Sequence, residues 1–251
     1  MLQKNKKGFY TSAALQDFSE VACGFSTVKF GNMKPSEGLK EEALANQKKF
    51  LKTLSIDISL VDCQQVHENN ISVVDRNSVG KTIKGSDGLV TKEKNLYLTV
   101  YVADCLPILA FDPKKEVCGI AHAGWRGTTG NIARNLIDSL KKLGSRPSDI
   151  RIVFGPCLDF CHYEIKEDVA SKFREVGLEK AILVSVSGKI YLDLREANLN
   201  QLKEAGVLSN NIDLNRKFCT YEMSDFYSFR REKEELRGEV ASVIGIKNDG
   251  K

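Results

Sequence analysis

The stretch YVADCLPILAFDPKKEVCGIAHAGWRG, Tyr101–Gly127, decides how this chain is read. Two apolar runs, Leu96–Phe111 and Val117–His122, flank Asp112-Pro113-Lys114-Lys115. An Asp-Pro pair between β-like runs marks a turn, so the unit reads as β-turn-β. Glycines at 124, 127 and 130 follow, and then a helical pattern from Gly130 to Leu143. Its Ile132, Leu136, Ile137 and Leu140 form one apolar stripe, and Gly144 is placed to end it. The same stretch sets Cys105 in the first run and His122 at the end of the second, in a chain with only three histidines.

Towards the N-terminus, short strands are expected around Gly8–Tyr10 and Ala22–Lys29, and a helix near 36–54 with Leu39, Ala43, Phe50, Leu51 and Leu54 at helical spacing. SLVDCQQVH and ISVVD read as strands, and Ser86-Asp87-Gly88 as a turn before LVT. Beyond the central stretch, IRIVFGP reads as a strand, KEDVASKFREVG and REANLNQLKEAG as helices, AILVSVSGKIYLDL as a hairpin turning at Ser187-Gly188, and GEVASVIGI as a closing strand. Strands and helices mix without strict alternation, which favours an α+β or α/β architecture with mixed sheets over a doubly wound parallel sheet. With no linker and no repeat, one domain over 1–251 is expected, residues 1–20 forming a peripheral N-terminal segment.

At 251 residues and 42% hydrophobic content the chain can bury a sizeable core. The net charge of +4 comes from interspersed acids and bases, an ordinary solvated surface that argues against a nucleic-acid partner. Seven cysteines lack the dense spacing of a secreted disulfide scaffold, so reduced thiols and a cytoplasmic location are expected. The N-terminus lacks the apolar core of a secretory signal, and no run approaches the length of a membrane span, so no membrane partner is expected.

His67, Cys105 and His122 each lie at the end of a strand-like run, where a sheet delivers side chains to a common rim. Two imidazoles and a thiolate make a three-ligand zinc set with the fourth position open. No HxxxH or CxxC spacing ties them together, so the residues alone favour three separately buried side chains over a shared site. Arg126, with glycines 124, 127 and 130 and the following helix start, could hold an anion or be a structural arginine in a glycine-rich connection. Trp125 reads as a core plug in preference to a wall for a planar ligand. GPCLDFCHYE sets Cys157, Cys161 and His162 within six residues; it lacks a full ligand set, so free thiols without a second metal are expected.

In order along the chain, QQVH, SDGLVT, ADCLPIL, HAGWRGT, GPCL…CHYEI, DLREANLNQLKEAGV and CTYEMSDFYSFRRE resemble the YfiH/laccase-domain family, also called the peptidoglycan editing factor family. The resemblance runs from about Gly24 to Ile246, and ADCLP with HAGWRG is its most specific part. It implies an α/β/β/α layered fold with mixed sheets. It also implies a zinc site of His67, Cys105 and His122 with Arg126 beside it, and a catalytic role for all four. The implied activity is purine nucleoside phosphorylase, acting on adenosine, inosine, guanosine and methylthioadenosine with phosphate, together with adenosine deaminase. Alternatives are a peptidoglycan-precursor editing hydrolase using Cys105, a single-copper polyphenol oxidase with copper in place of zinc, and a non-catalytic nucleotide-binding role. Three histidines are too few for a trinuclear copper cluster in one subunit. Two departures stand out: Val28-Lys29-Phe30-Gly31-Asn32 replaces the family's arginine and Gly-Gly pair, and Glu68 replaces the glycine usual after the QVH histidine.

Overall fold

The computed structural model describes residues 1–36, 38–56, 60–235 and 237–248. One sheet has seven strands: β1 (Leu2–Lys4), β2 (Tyr10–Ser12), β3 (Val21–Phe25), β4 (Leu60–Cys63), β6 (Thr82–Ile83), β8 (Tyr97–Val102) and β16 (Val240–Ile246). Its order is β1-β2-β3-β16-β8-β4-β6, antiparallel except where β4 runs parallel to β8 and β6. The second, six-stranded sheet joins β5 (Ile71–Val73), β7 (Gly88–Thr91), β9 (Leu106–Asp112), β10 (Val117–Ala123), β11 (Arg151–Phe154) and β15 (Ile212–Asp213) in the order β15-β11-β9-β10-β7-β5. It too is mixed, with parallel pairs at both edges. A small antiparallel sheet holds β12 (Glu164–Ile165), β13 (Ile182–Val184) and β14 (Ile190–Leu192).

Alternation along the strands sorts the side chains into layers. Val21, Cys23 and Phe25 of β3, Leu98, Val100 and Val102 of β8, and Val240 and Ile244 of β16 meet Leu109, Phe111, Cys118 and Ile120 of β9 and β10 in one core between the two large sheets. The opposite face of the six-stranded sheet, with Leu106, Ile108, Ala110, Val117 and Ala121, packs under the helices α4 (Ile132–Lys142) and α6 (Leu194–Glu204), with Phe173 of α5 (Glu167–Glu175) beside them. The outer face of the seven-stranded sheet, Tyr97, Tyr101, Ala241 and Val243, packs under Phe50 and Leu51 of α2 (Lys40–Thr53). The layers are therefore helix, sheet, sheet, helix. Because both large sheets are covered on both faces, all seven residues of β10 are buried and the strand reads as a continuous apolar run.

Several boundaries differ from expectation for identifiable reasons. The run Leu96–Phe111 is two strands, β8 and β9, which lie in different sheets. The break falls at Asp104, a non-glycine residue in the left-handed region at φ +95°, and there the chain crosses from one sheet to the other. The helix expected over 130–143 is α4, which starts after Asn131 at φ +68°, a conformation asparagine tolerates, and a short helix that was not expected, α3 (Trp125–Thr129), precedes it. The helix expected over 36–54 starts only at Lys40, after Gly38 at φ +78°; Glu37 lies outside the described residues. The first twenty residues are not peripheral: β1 and β2 form one edge of the large sheet, with α1 (Ala13–Gln16) beside them, and Leu2, Tyr10 and Leu15 are buried. The β9–β10 hairpin pairs Val117 with Asp112, as the Asp-Pro turn requires. Among the described residues, no helix is long and apolar enough to cross a membrane.

Candidate metal centre

Three connections meet at one end of the space between the sheets. The first leaves β4 and carries His67; the second is the crossover at Asp104 and carries Cys105; the third ends β10 with His122. On β10, Cys118 and Ile120 face the inter-sheet core, so the two-residue period points His122 the same way. One ligand atom from each of His67, Cys105 and His122 lies within 4.8 Å of the others. The two imidazoles meet edge to face, 4.8 Å between centroids and 85° between planes.

Each connection is held by specific hydrogen bonds. After β4 ends, the buried Gln65 side chain acts as one more rung of pairing: its Nε2 donates to the Tyr101 carbonyl (2.6 Å), and the Tyr101 amide donates to its Oε1 (2.8 Å). Gln65 and His67 both take left-handed backbone angles, at φ +58° and +62°. The tight arc this makes turns three consecutive amides towards the fully buried Asp87. Val66 and Glu68 donate to its Oδ2 at 3.1 and 2.9 Å, and His67 donates to Oδ1 at 2.9 Å. His122 Nδ1 also bonds Asp87 Oδ1 at 2.9 Å, and the His122 amide donates to the Asp87 carbonyl at 2.7 Å. A buried carboxylate without partners costs several kcal/mol, and this one has four donors. With Nδ1 turned to Asp87, Nε2 is the His122 nitrogen left for a metal.

Asp104 braces Cys105 in a similar way. Its carboxylate accepts from Thr220 Oγ1 and the Arg230 amide, each at 2.6 Å, and its carbonyl accepts from the Leu158 amide at 2.9 Å. Burial pushes the Cys105 thiol up, but the charge and hydrogen bonds of His122 and His67 outweigh burial and bring it down to about 7. Burial acts to lower His122, and Cys105 and Asp87 overcome it and raise it to about 9. In the metal-free pair each group favours the charged form of the other, thiolate and imidazolium, and the thiolate is the form that ligates a metal.

Gly124 closes the centre. A Cβ there would stand 3.3 Å from both Cys105 Sγ and His67 Cδ2. Gly124→Ala is expected to crowd Cys105 and His67 and weaken any metal binding there about tenfold, with the thermal midpoint nearly unchanged; a competition titration with a chromogenic chelator measures it, and unchanged affinity would show that the glycine is only a turn residue.

The donor set, two imidazole nitrogens and a soft sulfur converging beside a cavity, suits zinc and also suits copper. The cavity measures about 410 Å³, within the range of small-molecule sites. His67, Cys105 and His122 line it with Lys34, Gln65, Tyr101, Phe229 and Glu239. Arg126 is not among its walls: the side chain is exposed, and its guanidinium stacks over the Trp125 ring at 4.3 Å. Trp125, expected as a core plug, is half-buried against the helical core and faces Lys172 as well, 5.1 Å from its ring. In the departing segment 28–32, Phe30 is buried and Lys29 reaches the Lys7 carbonyl; the cation that reaches the cavity comes two residues beyond, Lys34, paired with Glu239 at 2.9 Å.

Sequence reasoning missed Asp87, Asp104 and Lys34. Ser86-Asp87-Gly88 carries a turn signal that hides a buried carboxylate, and Asp104 sits inside an apolar run. Cys157 and Cys161 do not act together: Cys157 is a buried free thiol whose backbone pairs with that of Cys219 in an isolated β-bridge, and Cys161 is an exposed free thiol.

Residues 18–247 match the family of multi-copper polyphenol oxidoreductase laccase proteins. The chain is 32% identical to the purine nucleoside phosphorylase YlmD of Bacillus subtilis, over 92% of this chain and 91% of that protein. Its fold superposes on the crystal structure of Bacillus licheniformis YfiH with a TM-score of 0.89 at 30% identity, over 98% of this chain and 99% of that one. YlmD from Geobacillus stearothermophilus gives a TM-score of 0.89 at 28% identity over the same shares. The layered fold, the His67–Cys105–His122 cluster and these matches make the chain a member of the multi-copper polyphenol oxidoreductase laccase family, which is the YfiH/laccase-domain family.

Proposed function

We propose that this protein is a zinc-dependent purine nucleoside phosphorylase that cleaves adenosine, and also inosine, guanosine and methylthioadenosine, with adenosine deaminase as a second activity at the same centre. The observation that carries the reading is the convergence of His67, Cys105 and His122 on one cavity wall, in a chain aligned over nearly its whole length with a protein named purine nucleoside phosphorylase. The family's name points to copper, but the chain holds three histidines and one of them, His162, is bonded to Glu222. A trinuclear cluster cannot be assembled from the remaining two.

Zinc held by His67, Cys105 and His122 supplies Lewis acidity at the cavity wall. The remaining work falls to the protein. Asp87 keeps the proton on His122 Nδ1 and so keeps Nε2 turned to the centre. Phe229 and Tyr101 give the cavity the apolar surface a purine needs. In phosphorolysis the bond from C1′ to the purine nitrogen breaks, a phosphate oxygen bonds C1′, and the purine nitrogen takes up a proton. Phosphate must be held while this charge moves, and the chain offers Lys34 in the cavity wall for it; Arg126, on α3 outside that wall and stacked on Trp125, must swing inward to assist. In deamination a water oxygen bonds C6 of the purine instead, the bond from C6 to the amino nitrogen breaks and ammonia leaves; phosphate is a reactant of phosphorolysis alone, so its concentration shifts the product ratio.

The test follows product. With zinc-loaded protein and adenosine, adenine and ribose 1-phosphate are expected to rise with phosphate while inosine falls. Removing a charged hydrogen-bond donor costs about 1.5–3 kcal/mol, so Lys34→Ala is expected to lower phosphorolysis about tenfold or more while sparing deamination. Arg126→Ala should shift the ratio the same way by a smaller factor. No adenine at saturating phosphate would overturn the phosphorylase reading. The lowered Cys105 thiol favours a second reading, a metal-free cysteine hydrolase; covalent trapping of Cys105 during turnover of a peptidoglycan precursor by zinc-free protein would establish it.

A further inference from the structure

A second group of metal-type donors stands apart from the cavity. Cys161 and His162 are consecutive residues on the single turn Phe160–His162, and Glu222 comes from the loop after Cys219, sixty residues further on. One ligand atom from each lies within 4.8 Å of the others. The sequence stretch GPCLDFCHYE lacked a third ligand; the fold supplies it as Glu222 and leaves Cys157 out, buried beneath.

The donors are held in place. His162 stacks on Tyr221, 4.3 Å between ring centroids and 19° between planes, and its Nε2 lies 2.9 Å from Glu222 Oε1. Asp159, beside Cys161, caps the turn by accepting from the Phe160 amide at 2.9 Å and is approached by the buried Arg195 at 3.4 Å. Partial burial, Asp159, Glu222 and Cys219 all act to keep the Cys161 thiol protonated, and a cation seated among these groups would relieve that repulsion.

We propose that Cys161, His162 and Glu222 form a second, solvent-facing site for one thiophilic divalent cation, of which zinc is the best fit. A thiolate, an imidazole and a carboxylate are the donors zinc takes, whereas magnesium and calcium require oxygen alone. Binding replaces the His162–Glu222 hydrogen bond with two coordinate bonds, the Nε2 proton leaving to solvent as Nδ1 takes one up, and releases the Cys161 thiol proton to solvent, so affinity rises with pH. Occupancy joins the turn at 159–162 to the loop at 219–223. Leu158, the residue before that turn, and Thr220 of that loop hold Asp104 through the Leu158 amide and Thr220 Oγ1, so the second ion steadies the residue next to Cys105 from outside the cavity.

The test is a zinc titration of the full chain, with the metal alone as probe and cobalt absorption as a second readout of thiolate ligation. Wild type is expected to bind two equivalents. Cys161→Ser and Glu222→Gln, both at exposed positions, are expected to weaken one of them at least tenfold, and the other should persist. In Cys105→Ala the pattern inverts: the equivalent that remains is the one that Cys161→Ser removes. Stoichiometry and affinity unchanged in both Cys161→Ser and Glu222→Gln overturn the proposal. A single equivalent that is lost with Cys161 and indifferent to Cys105 supports this site and removes the zinc centre from the proposed function.

Discussion

His122→Ala is expected to empty the centre of zinc and to reduce adenosine phosphorolysis and deamination together by about a thousandfold or more, equal to roughly 4 kcal/mol of transition-state stabilisation. On the proposed function the two losses are coupled, because one metal held by His122 Nε2 would serve both reactions, at C1′ of the ribose and at C6 of the purine. The fold is expected to survive. His122 sits at the end of β10, and three backbone amides still satisfy Asp87 when the imidazole is gone. Metal content by elemental analysis, rates by chromatography of adenine and inosine, and far-ultraviolet circular dichroism separate the outcomes. A variant that retains its zinc, or that loses one reaction and keeps the other, contradicts a shared centre. Cys105→Ser sharpens the comparison, since it keeps volume and polarity but exchanges a soft donor for a hard one.

Asp87 should be the more damaging position for the fold. In Asp87→Ala the amides of Val66, His67 and Glu68 and the Nδ1 of His122 lose their acceptor in a fully buried place. Leaving several buried donors unpaired costs about 3–5 kcal/mol, which lowers the thermal midpoint by about 10 °C in a chain of this size. Asp87→Asn separates stability from ligand orientation. An asparagine has one acceptor oxygen where four donors converge, so its NH₂ must face at least one of them. Where it faces His122, the imidazole is driven to the tautomer that carries its proton on Nε2 and ceases to be a ligand. Zinc affinity is therefore expected to fall about 10- to 100-fold in Asp87→Asn, more than its modest change in thermal midpoint implies. Equal losses of stability and affinity in the two variants would reduce Asp87 to a purely structural brace.

What could be read in the sequence divides along physical lines. The β9–β10 hairpin, the stripe of α4 and the closing strand β16 were legible because periodicity and turn chemistry act over a few residues. His67, Cys105 and His122 stood out because strand ends present side chains and because their types are ligands. That they meet depends on the crossover at Asp104, which an apolar run conceals, since the sign of a φ angle leaves no trace in hydropathy. Asp87 was hidden for the opposite reason: Ser-Asp-Gly is a strong turn signal, and a carboxylate in a turn is expected to face water. Arg126 drew attention as a cation beside glycines, yet the short helix α3 turns its guanidinium onto Trp125, while Lys34, in a segment with no motif, reaches the cavity through its pairing with Glu239. Glu222 could not be assigned to Cys161 and His162 from spacing, because nothing local links residues sixty positions apart.

The most direct measurement is an anomalous difference map at the zinc absorption edge, from crystals of protein isolated without chelator. The account predicts a peak bonded to His67, to Cys105 Sγ and to His122 Nε2, at about 2.0–2.1 Å from each nitrogen and about 2.3 Å from the sulfur, with its open side facing the cavity of Lys34 and Phe229. The same crystals, dissolved, should release adenine from adenosine in phosphate. No peak among the three residues, in protein that still cleaves adenosine, would contradict it.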